Sequence, residues 1–122
     1  MAQFLVLVDG EAGGWRVDRE ALTAAIRARW SSVEVDSTHR ESRCNCWHFE
    51  TKSGLGEAYL HQDGTCLYLD VGHEDAAWLA VAFRRLAPAD LDLIFCDEGY
   101  NFEVRLKPEA TVTELTAVLS NP

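Results

Sequence analysis

The chain has 122 residues, the size of one domain, with 11 Lys plus Arg against 20 Asp plus Glu and a formal charge of −9. Its 48% hydrophobic share supplies a packed core and excludes a disordered tail or a low-complexity linker. No apolar run approaches the ~20 residues that cross a bilayer, and so acidic a chain is a poor non-specific binder of nucleic acid or of an anionic membrane.

The chain opens on Gln3-Phe4-Leu5-Val6-Leu7-Val8, closed by Asp9-Gly10, which reads as a buried strand. The same segment has no basic n-region and no cleavage site, so no signal peptide is expected. After the loop Glu11-Ala12-Gly13-Gly14, Asp18 is placed to cap a helix through Trp30, with Leu22, Ala25, Ile26 and Trp30 on one face. Val33 and Val35 alternate with Glu34 and Asp36 as a half-buried strand, and the polar run 37–42 reads as a loop. A meander near 43–50, 56–61 and 66–71 follows, turning at 53–56 and at Asp63-Gly64. Glu74-Asp75 opens a helix to Leu86, stopped by Pro88, with Leu79, Ala82, Phe83 and Leu86 as its apolar face and Trp78 and Val81 flanking. Strands at 91–96 and 101–106 flank the turn Asp97-Glu98-Gly99-Tyr100. Thr111 and Glu114 form a capping box for a last helix facing inward with Leu115, Val118 and Leu119. The order β-α-β-β-β-β-α-β-β-α, with tight turns between strands, predicts one α+β domain over 1–122. Its sheet is mostly antiparallel, with helices packed on one face.

Parity sorts the meander. A two-residue turn at Asp63-Gly64 sets Tyr59 opposite Tyr68, Glu57 opposite Asp70 and His61 opposite Cys66. Ala58, Leu60, Leu67, Leu69 and Val71 then form the core face with Trp47 and Phe49. The other face collects Cys44, Cys46, His48, Glu57, Tyr59, His61, Cys66, Tyr68 and Asp70. With no secretory signal, its cysteines and Cys96 are expected as reduced thiols of a cytoplasmic protein. This face reads as a half-exposed surface of amphipathic residues, or as an interface, homodimeric or with a partner, centred on Tyr59, Tyr68 and His61. The same Cys/His/Tyr face also reads as a small-molecule or metal-binding surface, and a metal set from Cys44, His61 and Cys66 has suitable donors. The paired Cys-x₂₋₄-Cys spacing of structural zinc sites is missing, so no metal and no cofactor is the expectation.

Catalytic constellations fare no better. Cys46 or Cys66 beside His48 or His61 has the elements of a nucleophile and base, but Glu57 and Asp70 disfavour a thiolate. Opposed Glu57 and Asp70 read as mild repulsion rather than an acid–base pair. Gly13-Gly14 lacks the Lys-Ser/Thr of a phosphate loop, and His73-Glu74-Asp75 starts a helix. No reaction is named, and a non-enzymatic protein is the expectation.

The charge is unevenly placed. Residues 1–56 carry net −1, 57–103 carry −8 and 104–122 carry 0. A solvated acidic face explains this for solubility alone. A docking surface for a basic protein partner also explains it, built on Asp92, Asp97, Glu98, Tyr100 and Trp78.

The run Gly54-Leu55-Gly56-Glu57 through Gln62-Asp63-Gly64-Thr65-Cys66-Leu67-Tyr68-Leu69-Asp70, with Phe95-Cys96-Asp97-Glu98-Gly99-Tyr100, resembles small actinobacterial proteins. Some of these are similar in size and layout to the immunity proteins of polymorphic toxin systems. The resemblance covers residues 54–107 and carries over no catalytic residue. It implies a binder that blocks a toxin, with the acidic turns as contact surface where the toxin is a basic nuclease.

Overall fold

Alternating side chains build the sheet, and its register can be followed strand by strand in a computed structural model. The structure describes residues 4–11, 13–36, 43–52, 54–61, 64–99 and 102–120, the side chains of 43–45 and 120 excepted. The elements are β1 (Phe4–Val8), α1 (Arg19–Arg29), β2 (Val33–Asp36), β3 (Arg43–Thr51), β4 (Gly54–His61), β5 (Cys66–Asp70), α2 (His73–Leu86), β6 (Leu93–Asp97), β7 (Glu103–Leu106) and α3 (Val112–Ser120). This is the predicted α+β order. The predicted loop 37–42, Ser53, Asp63 and the turn residue Tyr100 lie outside the described residues.

The seven strands form one sheet in the order β2-β3-β4-β5-β1-β6-β7, and every neighbouring pair is antiparallel. The first strand therefore lies inside the sheet. Helix α1 carries the chain from there to the β2 edge, the meander brings it back to β1, and α2 carries it over to β6. The β4–β5 hairpin has the register expected from its turn, with Tyr59 opposite Tyr68 and Glu57 opposite Asp70.

Helices α1 and α3 begin where polar side chains satisfy their first amides. Asp18 accepts from the Glu20 and Ala21 N–H groups at 3.0 and 3.1 Å. Thr111 Oγ1 accepts from the Glu114 N–H at 3.2 Å and donates to its carboxylate at 3.3 Å. Helix α2 starts at Gly72 without a side-chain cap, and Glu74 and Asp75 complement its dipole instead.

All three helices share one buried cluster with one sheet face, which includes Phe4, Val6, Trp47, Phe49, Leu60, Leu67, Leu93 and Phe95. Trp47 is fully buried, and its Nε1 donates to Thr23 Oγ1 on α1 at 2.9 Å, so the indole loses no hydrogen bond on burial. Trp30 stacks on Phe49 with ring centroids 4.1 Å apart.

Two predicted helix faces shift. Helix α2 touches α1, α3 and β1, so Ala76, Ala77, Ala80 and even Arg84 are buried with Leu79 and Phe83, while Ala82 and Leu86 are only half-buried. In α3 Val118 is 39% exposed, while Leu115 is buried and Leu119 packs against the core half-buried. Among the described residues no helix is long and apolar enough to cross a membrane.

Candidate functional site: the open face of the sheet

No helix among the described residues packs on the opposite sheet face, so the side chains of alternate parity line it. A middle row crosses all seven strands as Asp36, Cys46, Tyr59, Tyr68, Leu5, Cys96 and Glu103. On one side of it run Glu34, His48, Glu57 and Asp70. On the other run Cys66, Leu7, Ile94 and Arg105. His61 pairs with Arg43 at the end of β4.

The centre of this face is aromatic and aliphatic. Tyr59 and Tyr68 stack with centroids 4.7 Å apart and planes 15° from parallel. Both are half-buried, as are Leu5, Leu7 and Ile94 beside them. Cys96 is fully buried. Burial pushes its thiol pKa up, and Glu103 and Asp97 add to the rise, which holds it protonated and unreactive at neutral pH. Carboxylates stand around this centre, with Glu34 and Asp36 on the β2 edge, Glu57 and Asp70 in the meander, and Glu103 on the β7 edge.

The predicted face residues Cys46, His48, Tyr59, His61, Cys66 and Tyr68 thus share one surface, and the structure draws three ligand atoms of that face together. Glu57 lies opposite His48 across the β3–β4 pair, with Oε2 3.1 Å from His48 Nε2. Cys46 Sγ stands 3.7 Å from the same Nε2. Parity places Cys46, His48 and Glu57 on one face in the sequence, but their convergence needs the first hairpin's register, and the turn expected at 53–56 misplaces it: Gly54, Leu55 and Gly56 already pair with Thr51, Glu50 and Phe49 as part of β4. The alternative set Cys44, His61 and Cys66 includes a side chain outside the described ones.

The residues expected for acidic docking fall in separate places. Asp92 precedes β6 and Asp97 ends it, about 17 Å apart at ~3.4 Å per residue. Asp92 lies 3.8 Å from Arg105, which also pairs with Asp9 at 3.2 Å. Asp97 accepts from the Phe102 N–H at 3.4 Å, so its carboxylate closes the β6–β7 turn. Glu98 is exposed in that turn, and Tyr100 is outside the described residues. Trp78 belongs to the helix layer, on the far side of the sheet. It meets Trp30 edge-on at 5.6 Å and carries the Arg29 guanidinium 5.0 Å over its ring.

A cleft of about 630 Å³ opens at the start of α2. Glu50, Glu74 and Asp75 line it together with Arg29 and Lys52, and Arg29 pairs with Asp75 at 3.0 Å. Its three carboxylates stand against two cations, so the lining is of mixed sign.

Comparison with protein-family models, with curated proteins and with solved structures finds no match for this chain.

Proposed function

We propose that the chain is a non-enzymatic cytoplasmic binding protein of inhibitor or immunity type, which docks a basic protein partner on the open face of its sheet. The observation that carries this reading is the Tyr59–Tyr68 stack at the middle of a helix-free sheet face. An aromatic and aliphatic centre within a polar rim is the anatomy of a protein contact surface. The rim supplies the sign of the partner. Glu34, Asp36, Glu57, Asp70 and Glu103 outnumber Arg105 on this face, so a basic surface is attracted to it. A two-fold dimer through the same face would set carboxylates against carboxylates, which disfavours a second copy as the occupant.

The contacts of His48 also support a binding role over catalysis. A nucleophile–base–carboxylate relay uses both ring nitrogens of its histidine, whereas Cys46 and Glu57 approach the same Nε2. The resemblance to immunity proteins agrees with an acidic contact surface and implies a basic toxin as the partner.

The test pairs two variants in affinity capture from the native host at low and high salt. Tyr59→Glu with Tyr68→Glu should abolish retention of a basic protein that wild type holds at low salt and releases at high salt. Asp97→Lys with Glu98→Lys should retain it. Loss of capture in the turn variant alone would move the contact to the β6–β7 turn. A solution dimer that the tyrosine variant dissolves would replace the partner with a second copy.

A further inference from the structure

We infer that Cys46, His48 and Glu57 form a zinc site, independent of the docking reading. The three residues bring their ligand atoms, Sγ, Nε2 and a carboxylate oxygen, within 4.8 Å of one another. The strand geometry explains how. Cys46 and His48 are two apart on β3 and project from the same face, and Glu57 faces His48 across the ladder.

Cys46 and Glu57 approach one and the same ring nitrogen of His48. A neutral imidazole nitrogen either carries a proton or offers a lone pair. With the proton on Nε2, His48 donates to Glu57 at 3.1 Å, and that nitrogen has no lone pair for the Cys46 thiol at 3.7 Å. With the proton on Nδ1, Nε2 accepts from the thiol but turns a lone pair toward the carboxylate. A cation between the three atoms suits all of them at once, since each offers it a lone pair.

The distances fit zinc. Tetrahedral coordination at Zn–S of about 2.3 Å and Zn–N and Zn–O of about 2.0–2.1 Å places sulfur and nitrogen about 3.6 Å apart, and nitrogen and oxygen about 3.4 Å apart. The separations here are 3.7 and 3.1 Å. Rotation of the Glu57 carboxylate, on a side chain that is 29% exposed, adjusts the remaining edge. The donor set selects the metal class. A thiolate and an imidazole beside one carboxylate favour zinc over the hard cations calcium and magnesium. Thiolate and carboxylate together neutralise the ion's charge, and Asp70 and Glu34, next to Glu57 and His48 in the ladder, keep the surroundings negative. Cys46 is 8% exposed, while His48 is 49% exposed. Zinc would rest on a buried sulfur with its fourth position toward solvent.

The experiment titrates the full chain, first stripped with a chelator, with zinc chloride by calorimetry and with cobalt(II) as a spectroscopic probe. One zinc per chain is expected. Cobalt should give a sulfur-to-metal charge-transfer band and intense tetrahedral d–d bands. His48→Ala and Glu57→Gln, on more exposed side chains, should each weaken zinc binding roughly tenfold or more, a loss that even outer-shell partners of metal sites cause. Cys46→Ser should remove the charge-transfer band. Because that position is buried, the two more exposed variants decide the matter if it does not fold. His61→Ala and Cys66→Ser should bind as wild type does. Uptake well below one equivalent, wild-type affinity in His48→Ala, or loss of binding in His61→Ala and Cys66→Ser but not in His48→Ala would each overturn the site.

Discussion

Arg84 is the charged side chain that the described core buries, at 2% exposure. Its guanidinium donates to the carbonyl oxygens of Leu91 at 2.7 Å and Leu106 at 3.2 Å, and also to that of Pro88. It thereby ties the end of α2, the loop after it and the end of β7 to one point. Burial pushes its pKa down, while Asp92 and Asp90 push it back up, and an arginine remains charged through such a change. Replacement by Met keeps the volume but leaves these carbonyls without their donor, at about 1–3 kcal/mol for each one that water cannot reach. Arg84→Met should therefore destabilise the fold by about 2–4 kcal/mol in urea denaturation. Arg84→Lys should recover only part, because an ammonium lacks the planar fork that spans three acceptors. A loss below about 0.5 kcal/mol, the range of ordinary surface changes, would show that water replaces the guanidinium. The sequence shows Arg84 only as one of two cations in an acidic stretch. Its burial is a tertiary effect, since helical spacing does not tell which side of α2 a second helix will cover.

At the scale of elements, Gly56 shows how closely β4 packs. A methyl group there would lie 2.9 Å from Phe49 Cε2, 2.9 Å from Val71 Cγ1 and 3.0 Å from Thr51 Cγ2. Gly56→Ala would ordinarily stabilise a strand by restricting the unfolded chain. Here overpacking opposes that gain, and a net loss of about 1–3 kcal/mol is expected from thermal or urea unfolding. Less than additive loss in the Gly56→Ala, Val71→Ala pair would assign the effect to this contact. Neutral behaviour of Gly56→Ala would mean that the Phe49 ring yields without cost. The β4–β5 hairpin, the Asp18 cap and the Thr111–Glu114 cap were legible because each is a local signal, decided by residues a few positions apart. The inner position of β1 was not, since its two neighbours come from the meander and from β6, more than fifty residues away in sequence. The candidate metal site falls between these cases. Parity placed Cys46, His48 and Glu57 on one face, but the β3–β4 register that sets His48 opposite Glu57 is fixed by tertiary pairing and a shift between Arg43 and Asn45.

For the whole molecule, the separation between an apolar centre and an acidic rim makes a kinetic prediction. Charges at the edge of an interface act before contact, through a field that extends about 10 Å at 0.1 M salt and about 3 Å at 1 M. They govern the rate of encounter, whereas groups that lose their water on contact govern how long the complex lasts. Glu34→Lys with Asp36→Lys reverses two rim charges on the β2 edge and leaves the proposed zinc donors in place. With the captured partner, this variant should associate about tenfold more slowly at low salt, converge with wild type near 1 M, and dissociate at the wild-type rate. Tyr59→Ala should do the reverse. Its association rate should stay within about twofold of wild type, while loss of a central aromatic worth about 2 kcal/mol raises dissociation roughly thirtyfold. Surface plasmon resonance on both variants at two salt concentrations reads all of these rates. Unchanged dissociation in Tyr59→Ala would remove the tyrosine stack from the contact. Slower association without salt dependence in the charge-reversed variant would mean that Glu34 and Asp36 act through shape rather than charge, and the basic character of the partner would lose its support.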